Sequence, residues 1–197
     1  MTRIVLASTS ATRLALLRDA GLEVSVQAPG VDEAAVIEAT GPDLPPADTA
    51  EILAHAKAAA VSGSDPDAVI IGADQTLELD GALMMKAIDG QDLRRKLLAL
   101  RGREHLLHSA VAVARRGAVV WSHVAEARMT MRDFSPEFLG RYVAAGGRDL
   151  LGSVGGYRIE GLGIQLFERI EGSHFAILGL PLLPLLHWLR AEGLMES

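Results

Sequence analysis

The chain is predicted to begin with a buried strand that leads straight into a helix, and this order limits the fold more than any other feature. Residues 3–7, RIVLA, are short, branched and continuously apolar, which is typical of a strand covered on both faces. A helix is predicted over residues 10–20, with Thr9 or Ser10 as its N-cap. Gly21 stands just past that helix, where a left-handed residue is favoured.

Two predicted strands end in polar side chains. The first strand is followed by Ser8 and Ser10, and the run VIIGA, the clearest buried strand in the chain, is followed by Asp74 and Gln75. In open α/β sheets, ligands bind outside the carboxyl ends of the strands. We therefore expect a site where these two strands end.

The polar residues after the first strand suit a phosphate group. Ser8, Ser10 and Arg13 would offer hydroxyls, backbone N–H groups at a helix start and a guanidinium fork to phosphate oxygens. The competing interpretation is a capped surface helix whose arginine is merely solvated. The segment contains neither G-x-x-x-x-G-K-[ST] nor G-x-G-x-x-G, which disfavours an ATPase or a dinucleotide-dependent dehydrogenase.

Asp74 is the strongest single candidate for chemistry. A carboxylate at the end of an apolar strand needs a partner, and a metal ion or a water to be activated would serve. The alternative is that Asp74 caps a turn or a helix. Glu33, Lys57 and Lys86 are weaker candidates by themselves, because acidic loops and surface lysines are common.

The remaining pattern predicts an α/β fold with a mixed central sheet flanked by helices, in a single domain over residues 1–197. Strands and helices alternate at first, and later strands pair locally. The specific expectations are a strand over 23–29, a helix over 49–63 capped by Asp48 or Thr49, a hairpin turning at Asp80-Gly81, a helix over 89–100, strands over 108–117 and 118–131, a helix starting at Ser135, a glycine-dense loop over 146–163, a strand near 167–170 and a leucine-rich helix after Pro181.

Composition excludes several classes of protein. The net charge of −6 argues against a nucleic-acid-binding surface, which would need a basic face. The absence of cysteine excludes disulfides, thiolate catalysis and cysteine zinc sites. The apolar run at the start of the chain is too short for a signal peptide core, and the longest apolar stretch, FAILGLPLLPLLHWL, falls short of a membrane span. A cytoplasmic protein without membrane or nucleic-acid partners is expected.

Taken together, these residues resemble the Maf family of nucleotide pyrophosphatases. The resemblance runs nearly end to end, and it is carried by the segments LASTSATR (against the family pattern S-x-S-x-x-R), VDE, AHAKA, IIGADQ, the Lys86 region, LRGREH, GGYRIEGLG and GSHFAILGLPL. It implies a mixed α/β fold of two lobes with a substrate cleft, like that of the inosine triphosphate pyrophosphatases, and a homodimer. It also implies that a nucleoside triphosphate is split into the monophosphate and pyrophosphate with a divalent metal, Mg²⁺ or Mn²⁺.

The resemblance assigns roles to individual residues. Asp74 would be the general base and, with Glu33, a metal ligand. The groups that would bind the triphosphate are Ser8, Ser10, Arg13, Lys57 and Lys86.

Three further positions would read the base. Gln75 and Glu160 match the 7-methyl-GTP branch of the family, and Thr12 stands where that branch carries tryptophan. A carboxylate only accepts hydrogen bonds, and guanine offers it two adjacent donors. The expected substrate is thus 7-methyl-GTP or another modified nucleotide, with a broader range left open by Thr12. Ala87 also replaces the proline usual after the lysine.

Other interpretations remain open. A non-catalytic nucleotide-binding regulator of cell division would bind nucleotide without hydrolysis, and a sugar-nucleotide or phosphoryl transferase would need an acceptor. The C-terminal leucines are more typical of a core helix than of a partner-binding surface.

Overall fold

The computed structural model describes residues 2–41 and 43–196, and these form seven strands in one mixed sheet together with seven α-helices. The strands are β1 (Ile4–Ala7), β2 (Val24–Val26), β3 (Val69–Leu79), β4 (Ala82–Met84), β5 (Glu104–Arg115), β6 (Ala118–Met131) and β7 (Phe167–Glu171). The helices are α1 (Ala11–Asp19), α2 (Glu33–Thr40), α3 (Pro46–Ser62), α4 (Gly90–Leu100), α5 (Pro136–Gly146), α6 (His174–Ile177) and α7 (Leu182–Ala191). The strand order is β2-β1-β3-β5-β6-β7, with β4 also pairing with β3.

The long strand β3 organises the sheet. On one edge it pairs along most of its length with β5, antiparallel. On the other edge it pairs in parallel with β1, whose last residue lies opposite Gly72, and then with β4 from Leu77 onward. Residues 73–76 therefore face a gap between two partner strands. β1 stops there because the chain turns at Ser8 to enter α1.

This pairing corrects one expectation. Asp74 and Gln75 were expected to follow the end of their strand, but β3 continues through both to Leu79. The antiparallel hydrogen bonds to β5 hold the strand extended, with Asp74 opposite Ala110 and Gln75 opposite Ser109. What ends before Asp74 is only the parallel pairing with β1.

The helix expectations are mostly confirmed. Ser10 caps α1 by accepting from the Arg13 N–H, and Gly21 follows with φ of +86°. Ser135 caps α5, and the turn at Asp80-Gly81 joins β3 to β4. The glycine-dense loop contains two short 3-10 helices, and the strand and leucine-rich helix expected near the C-terminus are β7 and α7.

Two helix starts differ from expectation. α3 begins at Pro46 rather than after a cap at Asp48 or Thr49, because a proline is favoured in the first turn, where its missing N–H is not needed. Thr49 instead donates its hydroxyl to the Pro45 carbonyl within the helix. Helix α2 was not predicted, although Asp32 caps it. Residue 42, in the proline-rich loop, lies outside the described residues.

The apolar core is divided between two regions, which confirms the expected α/β architecture. In the first, the alanine face of α3 covers one side of β1, β3 and β5, while α1 and α7 cover the other side. In the second, α4 and α5 pack on the far ends of β5 and β6. Four leucines of α7 are buried, so its stripe belongs to the core. Across residues 2–41 and 43–196, no helix has the length and apolar character needed to cross a membrane.

Gly72 allows α3 to lie directly on β3. A Cβ added at this position would lie 2.6 Å from the Ala58 nitrogen and would also clash with the Ala54 carbonyl, both of which are backbone atoms. We expect Gly72→Ala to lower the free energy of unfolding by about 1–3 kcal/mol or more, because α3 must shift.

Gly140→Ala is the matched control. Gly140 lies within α5 and has open space around its Cβ position, so alanine should stabilise the protein by about 1 kcal/mol through helix propensity. Urea denaturation of both variants measures the difference. Equal effects of the two substitutions would contradict the close packing described for β3 and α3.

Candidate functional site

A cleft of about 470 Å³ opens at the gap beside β3. Its walls come from the β1–α1 junction, the start of α2, Lys57 within α3, the loop before α4, residues 149–160 and the turn after α6. All ten residues singled out from the sequence line this one cleft, namely Ser8, Ser10, Thr12, Arg13, Glu33, Lys57, Asp74, Gln75, Lys86 and Glu160. Their individual roles remain predictions.

Lys57 holds the two candidate metal carboxylates together. Its ammonium forms a hydrogen-bonded ion pair with Asp74 and lies 2.6 Å from Glu33 Oε1. Lys57 and Asp74 are both buried, so each charge needs the other. Lys57 directly precedes Ala58, whose backbone lies against Gly72 of β3, so helix and strand are close together at this point.

Glu33 reaches this pair from the first turn of α2. Partial burial alone would raise the pKa of Glu33, but the hydrogen bond and charge of Lys57, with the charges of Lys86 and Arg13, lower it below the ordinary value. Glu33 is therefore an ionised carboxylate at neutral pH.

The alternation of β3 sends its two polar side chains to opposite faces of the sheet. Asp74 points toward α3, as does Thr76, whose hydroxyl donates to the Pro46 carbonyl. Gln75 points toward α6. Both faces open into the same cleft because residues 73–76 lack a neighbouring strand on that edge.

The amide of Gln75 has a defined orientation. Its Nε2 lies 2.8 Å from Ser109 Oγ, 3.0 Å from the Ala176 carbonyl and 3.1 Å from the Ile177 carbonyl. Ser109 donates its own proton to the Ala176 carbonyl at 2.6 Å, so its oxygen accepts from Gln75. Since the amide nitrogen is engaged by three acceptors, Gln75 offers its carbonyl oxygen, an acceptor, to the cleft.

Arg13 links the edge of β3 to the turn after α6. Its Nε donates to the Gly179 carbonyl at 2.8 Å and its Nη1 donates to the Ala73 carbonyl at 2.9 Å. Burial lowers the pKa of Arg13, while the charges of Asp74 and Glu33 oppose that shift. The side chain is thus not a solvated surface arginine, and its remaining N–H groups are those that could meet a phosphate.

The two serines belong to the start of α1. Ser10 is the helix cap, and its own N–H lies 3.1 Å from Ser8 Oγ, which is buried. The capping interpretation of this segment is therefore correct for Ser10. The same segment nevertheless lines the cleft, so capping and ligand contact do not exclude one another.

The rim of the cleft carries Lys86 and Glu160, both exposed. Glu160 accepts from Arg158 Nε at 3.0 Å, which holds both side chains at the rim. Thr12 lies on α1 on the cleft wall and is half-buried.

The carboxylates suit a hard divalent cation that is shared with a substrate. Mg²⁺ is commonly held by one or two carboxylates together with substrate phosphates. Glu33 and Asp74 supply such a pair and already converge on one positive charge, that of Lys57. Within the part of the chain that the structure describes, no group of three or more histidine, aspartate and glutamate side chains is arranged to hold a metal.

His105 of β5 anchors the loop that carries Glu160. The ring Nε2 of His105 lies 2.7 Å from the Tyr157 hydroxyl, and Ser153 donates to the Tyr157 carbonyl. Burial lowers the pKa of His105 to about 4 and raises that of Tyr157. Both groups are therefore neutral at physiological pH and join the loop to β5.

Known proteins resemble this chain over nearly its whole length. A family profile described as Maf-like protein matches residues 3–192. The chain belongs to the Maf family. A 7-methyl-GTP pyrophosphatase of Brucella abortus is 49% identical over 99% of this chain and 98% of that protein. A nucleoside triphosphate pyrophosphatase of Maricaulis maris is 47% identical over the full length of both.

One solved structure resembles this chain distantly. A HAM1 protein from Coxiella burnetii has a TM-score of 0.44 and 21% identity over 68% of this chain and 75% of that chain. A likeness at that score has no bearing on the site of this Maf family member.

Sequence reasoning missed two residues that shape the cleft. Ser109 orients Gln75, and Arg158 pairs with Glu160. Ser109 could be found only from the register of β5 against β3, which no local pattern reveals. Arg158 stands two residues before Glu160, and this spacing was the one available signal.

Acid should weaken the fold through His105. The unfolded chain takes up this proton near pH 6.5, but the folded protein does so only near pH 4, so the unfolded state binds more protons between these values. The stability that neutral His105 contributes is fully present above about pH 6.5. It is lost as the pH falls toward 4, and the free energy of unfolding then decreases by up to about 1.4 kcal/mol per pH unit.

His105→Gln isolates this effect, because glutamine is polar but does not titrate. Chemical denaturation from pH 4 to 7.5 should show that the free energy of unfolding of the wild type falls more steeply than that of the variant. Parallel curves would mean that His105 takes up its proton at the same pH in the folded and unfolded protein, so that folding does not lower its pKa.

Proposed function

We propose that this Maf family member hydrolyses a nucleoside triphosphate to the monophosphate and pyrophosphate. The observation that carries the proposal is the convergence of Glu33, Asp74 and Lys57 in a cleft that also contains Arg13 and Lys86. Relatives that this chain matches over nearly its whole length are named pyrophosphatases acting on nucleotides, which supports the same activity here.

The proposed reaction is attack by water on the α-phosphorus. The water oxygen forms a bond to phosphorus, the bond from phosphorus to the bridging oxygen of the β-phosphate breaks, and pyrophosphate leaves with the bonding electrons. Asp74 orients the water and accepts its proton, because its carboxylate forms an ion pair with Lys57 and lines the cleft.

Fixed positive groups would stabilise the charge that gathers on the leaving group. Arg13 has N–H groups beyond those used on Gly179 and Ala73, and Lys86 lies free of helix or strand on the rim. Ser8 and Ser10 add hydroxyls at the start of α1. Such preorganised donors lower the barrier because they need no reorientation as charge develops.

A divalent metal, Mg²⁺ or Mn²⁺, completes the proposal. Glu33 and Asp74 would hold it, and the bound ion would neutralise phosphate charge and polarise the reacting phosphoryl group. Homodimerisation, a cytoplasmic location and the absence of nucleic-acid partners remain predictions.

For the base, 7-methyl-GTP or another modified guanine nucleotide is the proposed preference. Gln75 offers a carbonyl oxygen and Glu160 a carboxylate, so both groups accept hydrogen bonds. Guanine presents adjacent donors at N1 and the exocyclic amine, whereas uracil flanks one donor with two carbonyls. N7-methylation adds positive charge, which the carboxylate favours.

Asp74→Asn tests the chemical step. We expect a loss of about 10²- to 10⁴-fold in kcat, since the amide cannot take a proton, with the fold retained because Lys57 keeps Glu33 as a partner. Pyrophosphate release with Mg²⁺ and Mn²⁺ against common and methylated triphosphates measures this.

Asp80→Asn is the matched control for the same isosteric change. Asp80 lies in the β3–β4 turn outside the cleft, at a left-handed φ of +54° that asparagine tolerates, so activity should be unchanged. Undiminished turnover in Asp74→Asn would remove Asp74 from the chemistry. Nucleotide binding without turnover in the wild type would favour the regulator instead.

Glu160→Gln tests base recognition. Its amide would place a donor against a guanine donor, so kcat/KM for 7-methyl-GTP and GTP should fall by about 10-fold or more relative to UTP, corresponding to ~1–3 kcal/mol for a lost bidentate contact. Glu168→Gln removes the same charge from exposed β7 and should leave the ratio unchanged. A Glu160→Gln profile equal to the wild type would exclude Glu160 from base recognition.

A further inference from the structure

Lys86 reaches the cleft from a segment that no helix or strand holds. Residues 85–89 connect β4 to α4, and Lys86 itself is exposed. Its side chain nevertheless lines the cleft, and its charge lowers the pKa of Glu33. The position of the Lys86 ammonium therefore depends on the contacts that fix the backbone of residues 85–89.

Lys96 fixes that backbone from α4. Its Nζ lies 2.5 Å from the Met85 carbonyl, 2.7 Å from the Lys86 carbonyl and 3.1 Å from Asp92 Oδ2. An ammonium has three N–H donors and no acceptor, so these contacts use all of them. Lys96 has no donor left for a phosphate, and it does not line the cleft.

Asp92 completes the anchor one turn earlier on the same helix. Its Oδ2 accepts from the Ile88 N–H at 3.1 Å, while its side chain is buried. The Ile88 N–H, Lys96 and Arg95 all favour its ionised form and lower the pKa of Asp92. Two side chains at i and i+4 on α4 thus hold the backbone of three residues of the segment.

The anchor is rigid because α4 belongs to the core. Leu93, Leu97 and Leu100 are buried on its inner face, and Asp89 caps its first turn. Ala87, next to Lys86, is buried but imposes no backbone restraint of its own. The contacts of Lys96 and Asp92 therefore connect the position of the cleft cation directly to the core of the second region.

We propose that Lys96 is a positioning residue for Lys86, setting the place of that cation and hence the affinity of the cleft for polyphosphate. The inference rests on the proposed function for its ligand class. It concerns a residue outside the cleft that acts only through another residue.

A double-mutant cycle with a binding readout tests this. Kd for inorganic tripolyphosphate is measured by calorimetry, and KM and kcat by pyrophosphate release, on the full chain and its Lys96→Met, Lys86→Met and double variants. We expect Lys96→Met to weaken tripolyphosphate binding and to raise KM by about 10-fold. Without Lys96 the Lys86 ammonium is no longer held in the position from which it contacts phosphate. Adding Lys96→Met to Lys86→Met should cost nothing further.

Matched variants separate positioning from charge and from stability. Lys96→Arg keeps the charge and the donors and should retain most of the affinity. Arg94→Met removes a positive charge from an exposed site on the same helix and should leave Kd within 2-fold. Lys96→Gln serves as a second neutral variant should Lys96→Met fold poorly, and Tm is recorded for each.

Three outcomes would overturn the inference. They are an unchanged Kd in Lys96→Met, additive losses in the double variant, and an equal loss in Arg94→Met. If the wild type hydrolyses nucleotides and Lys96→Met changes neither Kd nor KM, the inference is overturned and the proposed function is not. If tripolyphosphate binding changes in the variants as expected but the wild type hydrolyses no nucleotide, the proposed function is overturned and the inference is not. If the wild type neither binds tripolyphosphate nor hydrolyses nucleotides, both are overturned.

Discussion

The gap in strand pairing along β3 is the constraint on which the site depends. β1 leaves the sheet after Ala7 and β4 joins at Leu77, so four residues of a central strand have one free edge. β5 keeps those residues extended from the other side. A side chain on either face of β3 can therefore reach one cavity, which a fully paired strand would prevent. Asp74 and Gln75 occupy these positions, with the carboxylate on one face and the amide on the other.

Charge pairing inside the cleft follows from the packing beside it. Glycine at position 72 and the alanine face of α3 bring helix and strand close together, so Lys57 is buried and must be neutralised by Asp74 and Glu33. The protein thus holds two carboxylates close to one another, and the ammonium that they share makes this arrangement tolerable.

Other parts of the cleft are set by hydrogen bonds to backbone carbonyls. Ser109 and α6 orient the Gln75 amide, Arg13 spans from Ala73 to Gly179, and Lys96 holds the carbonyls before and at Lys86. None of these contacts is visible in a local pattern, since each joins residues from different elements. Sequence reasoning found ten of the residues that line the cleft, but it gave no sign of Ser109 or Lys96, which orient two of them.

The sequence by itself determined the fold class, most helix and strand positions and ten of the residues that line the cleft. Apolar periodicity, capping residues such as Ser10 and turns such as Asp80-Gly81 depend only on residues that are close together in the sequence, so the sequence alone predicts them. Only the tertiary structure decided that β3 continues past Asp74 and that Arg13 is engaged rather than solvated. Those facts depend on strand register and on contacts between residues far apart in the chain, and such contacts exist only once the sheet has formed.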